Sequence, residues 1–258
     1  MDIVVISIIG LLFGSFANVC VRRLPYGKSI IYPSSHCPKC LSLIRWKDNI
    51  PLVSFIILRG KCRICKHKIS IEYPLVELLA GLYFVFAYIM FVNNYFNLAG
   101  FFITLILGMY LLIIAFIDIN LRIIPDVLSV SLLCIGIISS FLNARINYSI
   151  ISSIIGMLFG GLTMYIISAV GEKIYKKDVI GGGDIKLIAA GGSFVGSDIQ
   201  YALLLSCFIG AFVGIIIVLF KKKKMTDFIP FGPYISLGII LVYLFPQVSE
   251  VFKSILMF

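Results

Sequence analysis

The chain is 258 residues long and 60% hydrophobic, with only 13% charged residues and a formal net charge of +10. A soluble domain of this size would carry about a quarter charged residues, and here apolar runs of membrane-crossing length recur from end to end. Composition therefore excludes a soluble globular domain. Unbroken runs such as LGMYLLIIAF exclude an outer-membrane barrel, whose strands alternate apolar and polar residues.

The first apolar segment, IVVISIIGLLFGSFANVCV, has no basic stretch before it and is followed by Arg22 and Arg23. That is the pattern of a retained helix with its N-terminus outside, not of a cleaved signal peptide. Further spans are predicted at roughly 74–92, 98–117, 124–142, 149–170, 185–200, 201–220 and 230–246, after the first at 3–21. The expected fold class is an all-α polytopic membrane protein of about eight transmembrane helices, with a small cytoplasmic zinc-binding insert after the first. Three regions follow: the first helix (1–21), the polar insert (22–73) and a transmembrane domain (74–258). Segment 185–200 is short and glycine-interrupted, so a re-entrant hairpin is the alternative there.

Charge bias supports a crossing by that segment. With eight spans, alternate connections hold 20 of the 22 Lys and Arg residues, leaving only Arg145 and Lys253 on the other side. The basic side is expected to be cytoplasmic, with both termini outside. Without the crossing, Lys221 to Lys224 would face outward. Membrane orientation accounts for the net charge, with membrane lipid as the partner, and nucleic acid is not expected as one.

The insert carries Cys37, Cys40, Cys62 and Cys65 as C-x2-C, 21 residues, C-x2-C. Four thiolates so spaced wrap a tetrahedral zinc, which would supply folding energy to an insert too small for much of a core. Cytosolic placement disfavours disulfides. His67 is not expected as a ligand, and Cys20, Cys134 and Cys207 read as packing residues.

Four acidic residues sit where apolar segments begin or end. Asp126 follows Pro125, where a helix's first turn suits a carboxylate. Glu77, in PLVELLAG, reads either as a tolerated helix-end charge or as a functional one. Asp118 follows YLLIIAFI, and Asp184 follows three glycines in VIGGGDIKLIAA; both are expected at the same membrane face. Two neighbouring carboxylates share a proton, so one can activate water while the other protonates a carbonyl. Glycines 181 to 183 would leave room for an extended peptide. Lys186 would hold the loop, bias the charge of the pair or anchor the segment at the interface. A phosphate loop is the rival reading, but the lysine-serine/threonine ending is missing. From these residues alone, a peptidase and an ion-coupled transporter both remain open.

Several separated motifs then match one family. GLLFGSFANVCVRRLP (10–25), the four-cysteine insert followed by YPLVELLAGLYF (73–84), AFIDINLRIIPD (115–126) and GGGDIKL (181–187) resemble the bacterial type IV prepilin peptidases. These are membrane aspartyl proteases of the GxGD type, and FIPFGPY (228–234) is similar to a further family segment. Ile117 stands before Asp118, so the tyrosine-aspartate motif of the presenilin branch is missing. The resemblance implies Asp118 and Asp184 as the catalytic pair, with Gly181, Gly183 and Lys186 in the active-site loop.

It also implies cleavage of the basic leader of prepilins or pseudopilins at the cytoplasmic face of the inner membrane. N-methylation of the new terminus from S-adenosylmethionine would follow, with the four-cysteine insert tied to that step and 74–258 serving as the peptidase domain. No glycine-rich Rossmann motif follows a strand, so a familiar methyltransferase fold is not expected. Against the transporter, the glycine-interrupted segment has no second copy in the other half. An assembly scaffold is the third reading, and under it both aspartates would be dispensable.

Overall fold

The computed structural model describes residues 2–142, 149–176, 180–220 and 230–256. Arg145, Lys177 and Lys221 to Lys224 of the charge pattern, and residues 228–229 of the FIPFGPY segment, lie outside these. The described residues are helical, with two isolated β-bridges and no strand. In chain order the helices are α1 (Ile3–Arg23), α2 (Val53–Ile57), α3 (Glu72–Val92), α4 (Leu98–Leu121) and α5 (Asp126–Phe141). They continue with α6 (Ile150–Tyr175), α7 (Gly182–Val195), α8 (Ile199–Leu219), α9 (Gly232–Leu244) and α10 (Pro246–Leu256).

The outward faces of the bundle are apolar. Leu12 and Phe16 on α1, Leu158 and Leu162 on α6, and Phe208 and Phe212 on α8 are all exposed. A continuous apolar exterior of this kind suits lipid. By length and apolarity alone, five helical stretches among the described residues reach membrane-crossing size, or six if α9 and α10 count as one. Helix length thus does not establish the predicted count of eight. Helix α5 has only 16 residues, and α7 runs on into α8 through a 3₁₀ turn as one apolar stretch.

Contacts along α9 set the directions of α7 and α8. Helix α7 follows α9 in parallel: Gly191 lies against Ile239, and Phe194 against Tyr243. Helix α8 opposes it, since Gly210 lies near Tyr234 while Ala202 lies against Gly238. The segment predicted at 185–200 therefore runs one way along α9 and does not fold back within itself. At 14 residues, α7 is about 21 Å long, short of a ~30 Å hydrocarbon layer. From Leu187 onward it is almost entirely buried, so surrounding helices shield that part from lipid.

Small residues make this burial possible. At the crossing of α6 and α7, a Cβ added to Gly156 would enter the backbone of Gly192 and Gly196. In lipid, close backbone approach replaces the hydrophobic effect as the packing force. Helix α10 turns 95° from α9 after Pro246. No element was expected there, because its polar residues interrupt the apolar run on which the spans were read.

Gly156→Ala should destabilise the purified protein by about 1–3 kcal/mol, the usual cost of overpacking. Thermal unfolding in detergent would measure this. Gly161→Ala, whose added methyl meets only the Ala189 Cβ at 3.3 Å, should cost less.

Candidate active site

One end of the bundle collects the charges. Arg22 at the end of α1 pairs with Glu72 at the start of α3 at 2.7 Å, and Asn120 near the end of α4 donates to the same carboxylate at 2.6 Å. Lys186 in the first turns of α7 pairs with Asp126 at the start of α5 at 2.7 Å. Both Lys186 and Asp126 are largely exposed, so the pair contributes little energy. Its effect is to tie two helix starts together. The opposite end holds Asp198, paired with Lys253 at 2.9 Å.

Asp118 lies one turn before the end of α4, where the Arg122 N–H closes the helix onto the Asp118 carbonyl at 2.9 Å. Arg122 adopts left-handed φ +57, which turns the chain sharply out of α4 and into the link preceding α5. That link packs Ile124 against Gly183, so close that an added Cβ would stand 2.9 Å from the Ile124 Cβ. The glycine loop is therefore needed for helix approach as well as for open space. Gly181 caps α7 and accepts the Asp184 N–H at 3.0 Å, which places Asp184 in the helix's first turn.

The start of α9 links Asp118 to the surroundings of Asp184. Asp118 is buried and Asp184 half-buried. Phe231 and Gly232, at the start of α9, touch both surroundings. The Gly232 N–H donates to Asp118 Oδ2 at 2.8 Å, while Phe231 and Asp184 line the same groove. That groove, of roughly 270 Å³, is otherwise apolar, with Met164 and Ile167 from α6 and Leu203 and Cys207 from α8. An apolar trough ending at a carboxylate can seat a hydrophobic chain with a peptide bond beside the acid.

Sequence reasoning did not assign Gly232 a contact with Asp118. Its only signal was the FIPFGPY resemblance, because a backbone donor leaves no mark in residue chemistry. Cys207, expected as a packing residue, lines the groove. Cys20 is buried among the helices, whereas Cys134 is exposed on the outer surface.

The four insert cysteines come together, all sulfurs lying within 4.8 Å of one another, and His67 is not part of the group. Cys37 and Cys65 Sγ are 3.8 Å apart, and Cys40 and Cys62 Sγ 4.0 Å. A tetrahedron with ~2.3 Å metal–sulfur bonds has edges of about 3.8 Å, so the set fits a zinc ion. Each C-x2-C pair, Cys37 with Cys40 and Cys62 with Cys65, sits on a turn of the same hydrogen-bonding pattern. Cys37 N–H donates to Ser42 O and Leu41 N–H to Cys37 O, while Cys62 N–H donates to His67 O and Lys66 N–H to Cys62 O. Bridges His36–Leu43 and Lys61–Lys68 close the two turns, and Leu41 and Lys66 both adopt left-handed φ.

Arg63 reaches from the second turn to Asp48, its Nε donating at 2.7 Å. That bond holds the Asp48 carboxyl below the usual carboxylate range. Glu77, whose role the sequence left open, is buried and accepts the Leu52 N–H at 2.8 Å, hooking the insert onto α3.

Two family profiles and several known proteins match this chain. The family profile described as "Bacterial Peptidase A24 N-terminal domain" matches residues 8–91, and that described as "Type IV leader peptidase family" matches residues 105–215. A "Type 4 prepilin-like proteins leader peptide-processing enzyme" of Escherichia coli is 35% identical over 249 residues, covering 89% of this chain and 88% of that protein. A "Prepilin leader peptidase/N-methyltransferase" of Pseudomonas aeruginosa is 33% identical over 255 residues, covering 90% and 86%. One of the same name from Klebsiella pneumoniae is 37% identical over 194 residues, covering 72% and 82%. No solved structure matches. The chain belongs to the type IV leader peptidase family.

Purified protein should carry about one tetrahedral metal per chain, and a chelator should make the four insert thiols reactive together. Metal analysis and thiol titration would show both. Because the Asp48 carboxyl is depressed, its pairing stabilises the insert above the ordinary carboxylate pKa and is lost as pH falls through the depressed value. Asp48→Asn should therefore weaken the insert at pH 7, and the difference from wild type should begin to shrink as pH falls past about 4 and vanish only below the depressed value. Proteolysis of the insert across pH reads this.

Proposed function

We propose that this chain removes the leader from type IV prepilins or pseudopilins and then N-methylates the new N-terminus. The observation that carries the reading is that the start of α9 joins the two aspartates: the Gly232 N–H donates to Asp118, and the adjacent Phe231 lines an apolar groove with Asp184. The substrate's hydrophobic helix would lie in that groove between α6 and α8, with its basic leader beyond the charged end. One aspartate, ionised, takes a proton from water, which attacks the scissile carbonyl, while the other, protonated, donates to the carbonyl oxygen. The tetrahedral adduct then collapses, its C–N bond breaking as the first aspartate passes its proton to the leaving amine and the second takes one back from the adduct's hydroxyl. The Gly232 N–H fixes one oxygen of Asp118 and so orients the other. Gly181 keeps a side chain away from the path of the peptide, Gly183 lets the link before α5 approach α7, and Lys186 anchors α7 through Asp126.

The abundance of Lys and Arg at the charged end supports placing it in the cytoplasm, with both termini across the inner membrane. The soft, all-sulfur donor set supports structural zinc at Cys37, Cys40, Cys62 and Cys65. Residues 22–73 would serve the methylation step, for which S-adenosylmethionine would be the donor, and 74–258 the peptidase. Both matching profiles and the relatives' names describe peptidases, so neither comparison supports the transporter reading.

Leader cleavage of a model prepilin by the purified protein tests the reading. Asp118→Asn and Asp184→Asn should each lower the rate by at least about 10²–10⁴-fold while the protein inserts and folds as wild type does. A variant that keeps near wild-type cleavage would remove that residue from the catalytic pair. Cys37→Ser with Cys62→Ser should reduce methylation of the cleaved product more than cleavage itself, as mass spectrometry of the N-terminus would show.

A further inference from the structure

Apart from the catalytic groove, the most unusual surface of the molecule lies on the insert. Helix α2 exposes Val53, Ile56 and Ile57 at 46%, 72% and 67%, positions i, i+3 and i+4 of one helical face. Its other side is fixed inward: Ser54 is buried and donates to Lys47 O at 3.2 Å while accepting the Ile50 N–H at 2.9 Å. The same bonds bring the Trp46 turn beside α2, and Trp46 is 83% exposed.

The height of α2 along the bundle explains what this face meets. Its N-terminus is held by Glu77, five residues inside α3, because Leu52 N–H donates to Glu77 Oε2. Five residues of helix amount to about 7.5 Å toward the membrane centre. Leu75 and Leu78 on α3, at the same level, are also exposed, and such apolar side chains on a membrane helix face lipid. Interfacial helices bury their apolar face about 5–10 Å into the headgroup boundary, which matches this level.

Charge points to the kind of lipid. Arg45 and Lys47 flank α2 on one side and Arg59 and Lys61 on the other, all exposed. The nearby Asp48 is already engaged by Arg63.

We propose that α2 and the Trp46 turn form a membrane-surface foot, inserting Trp46, Val53, Ile56 and Ile57 among the headgroups beside α1 and α3, with anionic phospholipid as the partner of the flanking cations. Aromatic residues at the interface and basic residues against anionic headgroups are the usual elements of such an anchor. The catalytic groove is built from other elements, α6, α8 and the start of α9, so this face is not needed to line it.

Trp46 is the chain's one tryptophan and so reports on this surface without labelling. The full-length protein would be reconstituted into phosphatidylcholine vesicles with and without phosphatidylglycerol, using lipids brominated along the acyl chain. The expected result is blue-shifted Trp46 emission, strong quenching by bromolipid and weak quenching by aqueous acrylamide. Ile56→Asp with Ile57→Asp should lower bromolipid quenching by about half or more. If that variant does not fold, Arg59→Gln with Lys61→Gln serves instead, and should abolish the extra quenching seen with phosphatidylglycerol. Free access of acrylamide with no bromolipid quenching would overturn the proposal. Protection of Trp46 only on addition of a prepilin would also overturn it, assigning the surface to substrate.

Discussion

A carboxylate is costly near hydrocarbon, about 2.5–3.5 kcal/mol at the centre of a membrane helix and less toward an interface. This protein places two of them together, and the rest of the structure follows from holding both at the end of the bundle. Asp118 ends one helix and Asp184 begins another, so each sits where the helix meets polar surroundings. The Gly232 N–H supplies Asp118 with a donor from a third helix. An approach of three helix ends requires backbone where side chains would collide, and glycines occupy those positions at 183 and 232.

The same requirement extends away from the site. Helix α7 carries Asp184 and is too short to span a bilayer exposed, so other helices must enclose it. They do so at close range because Gly156, Gly191 and Gly192 remove the side chains that would hold them apart. The groove leading to Asp184 is then formed by the outer neighbours α6 and α8. The buried central helix thus holds the acid, and the lipid-facing helices wall the groove beside it.

The insert follows a different physics. It has little core, and two turns of the same hydrogen-bonding pattern, 25 residues apart in sequence, bring their sulfurs together from opposite sides. Glu77 joins this polar module to the membrane helices by a single buried hydrogen bond to Leu52. That bond explains an acidic residue inside an apolar segment, and it sets the height at which α2 meets the lipid.

By itself the sequence determined the all-helical membrane class, the helices at each predicted span, the four-cysteine cluster and the two aspartates. Those properties depend on run length, on local spacing and on charges in apolar context, all of which are carried by neighbouring residues. Only the tertiary structure decided that the Gly232 N–H meets Asp118, that Lys186 bonds Asp126, and that Glu77 accepts the Leu52 N–H. Each of these joins residues far apart in the chain through contacts that depend on helix direction and distance of approach. Helix α10 and helix α2 were also missed, because short helices with interspersed polar residues lack the long apolar run that betrays a span. The backbone N–H of Gly232 was the least legible feature of all, since every residue but proline has one and only packing decides which of them meets a carboxylate.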